Sequence, residues 1–109
     1  MKIAIASTGN QFDSVIEKRF ARCTCFIFLD TDNGGIEFLP NPYKDVDFEV
    51  GPKVVNLMRS RNISKVIAGD FGLKIKPLLD SFKIQLIVYQ DSKITIKEII
   101  SKLTNLYQP

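Results

Sequence analysis

Apolar positions along the chain follow two rhythms, one with the alternation or unbroken run of a strand and one with the three-and-four spacing of a helix. Lys2-Ile3-Ala4-Ile5-Ala6 is a short apolar run ending in Ser7-Thr8-Gly9-Asn10, which reads as a buried strand entering a polar loop. Cys25 to Asp30 (Cys-Phe-Ile-Phe-Leu-Asp) reads as a second strand. Asp32-Asn33-Gly34-Gly35 is a strong turn signal, and Ile36-Glu37-Phe38-Leu39 alternates as a hairpin partner should. Pro40, Asn41 and Pro42 end that strand.

After an irregular acidic stretch from Asp45 to Glu49, the period becomes helical. Gly51-Pro52 opens a helix that turns Val54, Val55, Met58 and Leu57 toward the core and ends near Asn62. Ser64 to Ala68 is a strand closed by Gly69-Asp70-Phe71-Gly72. A second helix presents Ile75, Leu78, Leu79 and Phe82 on one face, with Pro77 near its first turn, where a missing N–H costs least. Gln85 to Tyr89 is the next strand. In the last helix Thr95 and Glu98 have capping-box spacing, and Ile96, Ile99, Ile100, Leu103, Leu106 and Tyr107 form a continuous apolar stripe. The element order, a strand, an irregular segment, a hairpin and then α-β-α-β-α, predicts an α/β fold with a mixed sheet of about five strands and three helices. No repeat or linker interrupts it, so residues 1–109 read as a single domain.

Composition narrows the chemistry. The chain has 109 residues, 45% hydrophobic and 25% charged, with no His and no Trp. Without His, the chain alone cannot build a Ser-His-Asp triad, a Cys-His pair or a His-ligated zinc site. Its apolar runs fall far short of the ~20 residues of a membrane helix, and its first residues lack a signal-peptide core, so a cytoplasmic protein with no membrane partner is expected. The first strand carries no carboxylate, which argues against two-metal nuclease chemistry and against hydrolysis in general. Residues 1–49 hold 5 basic and 8 acidic side chains, and residues 50–109 hold 10 and 4. No aromatic-flanked basic cluster accompanies these lysines, so solvated helix faces are a better reading than nucleic-acid binding.

Two segments carry candidate chemistry. Ser7-Thr8-Gly9-Asn10 is either an anion-binding turn or, with more weight, a polar exit loop without a phosphate-loop pattern. Arg19-Phe20-Ala21-Arg22-Cys23-Thr24-Cys25 concentrates the reactive groups. On an extended chain the thiols of Cys23 and Cys25 point to the same side, with Arg19 and Arg22 placed to lower their pKa values. The competing reading makes them small buried hydrophobes at a strand entry, and it carries more weight because two thiols supply half a four-thiolate site.

Taken in order, these pieces resemble a known family, that of dinitrogenase iron–molybdenum cofactor biosynthesis. The resemblance rests on Met1 to Ser7, on Phe20-Ala21-Arg22 where the family usually has Phe-Gly-Arg, and on Phe28 with Asp30. It continues through Asn41-Pro42, Gly51-Pro52, Gly69 to Gly72 and Lys83-Ile84. It implies a ribonuclease H-like three-layer fold and binding, not turnover, of an iron–sulfur or iron–molybdenum type cluster or its precursor. The ligand face it implies comprises Ser7, Gly9, Phe20, Arg22, Gly51 and Gly72. Phe48-Glu49-Val50-Gly51-Pro52 lacks the His-containing stretch of many relatives, so a bound cluster would take Cys23 and Cys25 as metal ligands, with two copies in a homodimer completing four. The expected function is thus a non-enzymatic carrier or accessory protein working with cluster donor and acceptor proteins. The alternatives are a protein-interaction or regulatory domain that has lost the ligand, and an anion- or nucleic-acid-binding module using the basic C-terminal half.

Overall fold

The computed structural model describes residues 1–107, with only the backbone of Leu106 and Tyr107, so the last two positions of the predicted apolar stripe lie outside the described side chains. Five strands and three helices follow in the order β1 (Lys2–Ser7), β2 (Cys25–Asp30), β3 (Ile36–Pro40), α1 (Val50–Ser60), β4 (Ile63–Ala68), α2 (Ile75–Ser81), β5 (Gln85–Val88) and α3 (Ile96–Tyr107). The strands form one mixed sheet in the order β3-β2-β1-β4-β5. β1 is antiparallel to β2 and parallel to β4, β2 and β3 form the expected hairpin, and β4 and β5 run parallel. At the hairpin turn Gly34 takes φ 75°, a conformation that glycine adopts without a steric penalty.

Alternation along the central strands decides what each face packs against. Ala4, Ala6, Phe26, Phe28, Val66 and Ala68 point to the side covered by α1 and α2, through Val54, Val55, Met58, Ile75 and Leu79. Ile3, Ile5, Ile27, Leu29 and Ile67 point to the other side, where Ile96, Ile99 and Leu103 of α3 cover them. The result is the expected three-layer α/β arrangement, helices on both faces of one sheet. The predicted cap of α3 is present: the Glu98 N–H donates to Thr95 Oγ1 at 3.2 Å, and the Thr95 N–H donates to Glu98 Oε1 at 3.3 Å.

One helix face differs from the expectation. Phe82 is 39% exposed instead of buried with Ile75 and Leu79, because α2 ends at Ser81 and Phe82 is its C-cap. Its ring lies under the Arg59 guanidinium, 4.0 Å from the centroid.

Strand direction sets where a site can form. Ser7 of β1 and Ala68 of β4 lie at the C-terminal ends of parallel strands. Antiparallel β2 brings its first residue, Cys25, to the same end, opposite Ser7, with Pro40 of β3 beyond it. The loop 8–24, the approach to α1 and the turn after β4 therefore meet at one edge, the usual place for ligands in open α/β sheets.

Candidate functional site

At that edge an open cleft of about 310 Å³ is lined by Arg19, Phe20, Ala21, Arg22, Val50, Gly51, Asp70, Phe71, Gly72, Lys74 and Ile75. Three segments distant in sequence build it. The strap 17–20 is tied to the end of β4, the Gly69 N–H donating to the Glu17 carbonyl at 3.0 Å and the Phe20 N–H to the Asp70 carbonyl at 3.2 Å. A side chain at Gly69 would put its Cβ 3.0 Å from the Lys18 backbone, so glycine permits this crossing.

Phe20 is buried at the cleft floor, its ring centroid 5.0 Å from Phe71 and 5.6 Å from Phe26. On the second side, Gly51 in the first turn of α1 packs so closely that a Cβ there would lie 2.9 Å from Ile75 Cδ1. On the third, Asp70 Oδ1 accepts from the Phe71 and Gly72 N–H groups at 2.8 and 3.3 Å, forming a tight turn that Gly72 completes at φ 75°.

Arg22 has two attachments. The residue lines the cleft, and its Nη1 donates to the carbonyls of Lys44 and Val46 at 3.0 and 3.1 Å, fixing the segment that leads into α1. Arg19 and Lys74 are exposed, and none of these three cations forms an ion pair with a carboxylate among the described residues. The α1 N-terminus faces the same space through Val50 and Gly51, and its N-cap, Glu49, sits at φ 57° with no side-chain capping bond. Positive charge and uncapped helix N–H groups thus meet over an apolar floor, an arrangement suited to an anion.

Of the residues the family resemblance implied, Phe20, Arg22, Gly51 and Gly72 come together in the cleft, whereas Ser7 and Gly9 do not line it. The buried Ser7 hydroxyl donates to the Gly9 carbonyl at 2.7 Å and accepts from the Gly9 N–H at 3.2 Å, so the pair shapes the exit loop.

The expectation that the two thiols point to the same side fails. Cys23 packs among Phe20, Phe26 and α1, while Cys25 packs on the α3 face with Ile27 and Leu29. The physical reason is local: the chain bends at Thr24, between the two cysteines and just before β2 begins at Cys25, so the extended-chain rule does not apply. Both thiols are free and buried. Burial pushes the Cys23 thiol up to about 12 and raises that of Cys25, the reverse of the arginine-lowered values expected. Asn41 locks this region: its amide donates to the carbonyls of Ala21 and Cys23 at 2.9 and 3.0 Å, and its Oδ1 accepts from the Tyr43 N–H at 2.9 Å.

Among the described residues no group of three or more Cys, Asp or Glu side chains is gathered to hold a metal ion. The lining itself holds no thiol; it sets Arg19, Arg22 and Lys74 beside Phe20, Phe71 and Ile75. Sequence reasoning passed over Lys74, which reads as one more solvated helix lysine; its position two residues after Gly72 is the signal that places it at the site.

The sequence matches the family model described as dinitrogenase iron-molybdenum cofactor over residues 1–106, and the chain belongs to that family. No curated protein matches the sequence. Among solved structures, a Thermotoga protein described as NifB and placed in the DUF35 family is similar with a TM-score of 0.79 and 29% identity, over 95% of this chain and 87% of that one. The apo orange protein of Desulfovibrio gigas shares the fold at TM-score 0.84 and 17% identity, over 99% of this chain and 90% of its own. A Methanocaldococcus jannaschii protein described as a dinitrogenase does so at 0.66 and 18%, over 96% and 88%.

Proposed function

We propose that this small protein of the nitrogenase-cofactor family is a non-enzymatic carrier or accessory protein, and that its cargo is an anionic iron–sulfur type cluster or cluster precursor seated in the cleft between Phe20, the start of α1 and Lys74. The observation that carries this reading is the convergence of Arg19, Arg22 and Lys74, none paired with a carboxylate among the described residues, on a cleft floored by Phe20. The cargo's negative charge meets the cations, and its sulfide faces meet the apolar floor of Phe20, Phe71 and Ile75.

Holding without turnover is supported by the side chains at the cleft. The chain has no His, and Asp70, the carboxylate of the lining, has Oδ1 engaged by two backbone N–H groups. Carriage by charge and contact also suits release to an acceptor protein, because no protein–metal bond has to break.

The test is an anaerobic titration with a synthetic thiolate-capped iron–sulfide dianion, followed by absorption. Saturable binding that weakens about tenfold in an Arg19→Ala/Lys74→Ala double variant, and that falls with added salt, is expected. Absent binding, or binding indifferent to both cations, overturns the reading.

A further inference from the structure

The rim of the cleft carries a pattern that cargo binding uses only through Lys74. Phe48 is 81% exposed and Leu73 is 94% exposed, the two most exposed large hydrophobics among the described residues. Each belongs to a segment that lines the cleft: Phe48 lies two residues before Val50, and Leu73 lies between Gly72 and Lys74. The charges around them are opposite. Asp45, Asp47 and Glu49 surround Phe48 with no cation between residues 45 and 49, and Lys74 and Lys76 follow Leu73 with no carboxylate between residues 71 and 76. All five are exposed, and none is in an ion pair among the described residues.

A surface with one acidic apolar half and one basic apolar half is complementary to itself. A two-fold axis over the cleft brings the acidic half of one protomer onto the basic half of its partner, and repeats the contact in reverse. We propose that this rim is an interface for a second copy of the chain, with Phe48 and Leu73 as its apolar anchors. The two clefts then face each other, and each protomer closes the other's cargo site with Phe48. The interface differs from a thiol-bridged pair, since Cys23 and Cys25 stay in their own cores. The enclosed cargo rests on the function proposed above, whereas the association rests on the rim alone.

Self-association is measured by sedimentation equilibrium on the whole protein without cargo, at low and high salt. Dimer formation that weakens with salt is expected, with Phe48→Asp and Leu73→Asp each weakening it at least about tenfold while leaving the far-ultraviolet dichroism unchanged. Charge reversal sharpens the test. A Lys74→Glu/Lys76→Glu variant carries two acidic halves and an Asp47→Lys/Glu49→Lys variant two basic halves, so each alone should be monomeric and an equimolar mixture should dimerise. A wild-type monomer at every concentration, a dimer that survives Phe48→Asp and Leu73→Asp, or a mixture that stays monomeric overturns the proposal. The two readings fail separately: a monomer that binds the iron–sulfide dianion removes the interface and keeps the carrier, and a dimer that binds none does the opposite.

Discussion

Two open cavities of equal volume, about 310 Å³, lie at opposite ends of the sheet. The one at the start of β1 is lined by Lys2, Asp30, Glu37 and Arg61 among others, two cations set against two carboxylates. Arg61 pairs with Glu37 at 2.6 Å and lies over the Phe28 ring at 5.1 Å, while nearby the terminal amine of Met1 pairs with Asp32 at 3.0 Å. At the other end three cations, Arg19, Arg22 and Lys74, stand against one carboxylate, Asp70; none of the three is in an ion pair among the described residues, and Arg22 is held by carbonyls, which leave its charge uncompensated. Volume does not separate the two. Unspent charge does, and it makes the second cavity the candidate site.

The largest expected effect tests whether the floor of the charged cleft is also structural. Phe20 is buried against Phe26 and Phe71, so Phe20→Ala should cost about 3 to 5 kcal/mol in urea unfolding. A change below about 1 kcal/mol would mean that the ring is a movable part of the site instead of a wall.

Next in size are the cysteines beside that floor. Serine at Cys23 or Cys25 puts a hydroxyl into apolar surroundings, at a cost of about 1 to 3 kcal/mol each where it finds no partner. Thermal denaturation of the double variant should show a large loss of stability, and iron loading after anaerobic incubation with iron and sulfide should equal that of wild type. Intact stability with abolished loading would return both sulfurs to the role of ligands.

These two regions also show what the sequence carries and what it hides. The strands and helices were legible because burial follows parity and helical period, as in Ile3 against Ala4 or Ile96 against Ile99. Four cleft residues were legible through the family resemblance at Phe20-Ala21-Arg22, Gly51 and Gly72. The sides of Cys23 and Cys25 were not, because the chain bends at Thr24, between them, and breaks the extended geometry that parity assumes, where no Gly or Pro advertises it. Nor was the role of Arg22 in holding the carbonyls of Lys44 and Val46 visible, since backbone acceptors leave no trace in residue identity. Lys74 is placed at the cleft only once β4 and α2 set the turn between them.

A pH experiment distinguishes the buried thiol from the charges of either cavity. The Cys23 thiol rises to about 12 in the folded protein from an ordinary value of 9.0. The folded state then holds a proton that the unfolded chain releases, so this contribution is fully present below pH 9, falls as pH rises and is lost near pH 12. The steepest loss for one thiol is about 1.4 kcal/mol per pH unit, read by urea unfolding between pH 8 and pH 11. Cys23→Ala should flatten that slope, though alanine lowers stability at every pH. An unchanged slope would mean that the thiolate is tolerated in the fold.

The smallest expected effect comes from the other end of the sheet, and its smallness carries the comparison. Both members of the Arg61–Glu37 pair are more than a third exposed, so solvent screens the pair, and Glu37→Gln should cost no more than about 1 kcal/mol of stability. It also leaves the cavity beside Phe28 with one more uncompensated cation. If free positive charge in a cavity of this volume is enough to hold an anionic cluster, the variant should gain affinity for the iron–sulfide dianion at this second end, seen as added stoichiometry in the titration. If the apolar floor and the uncapped start of α1 are also required, the stoichiometry stays that of wild type. The second outcome is expected, because this cavity lies at the start of β1 and β4, away from the helix N-terminus and the Phe20–Phe71 floor.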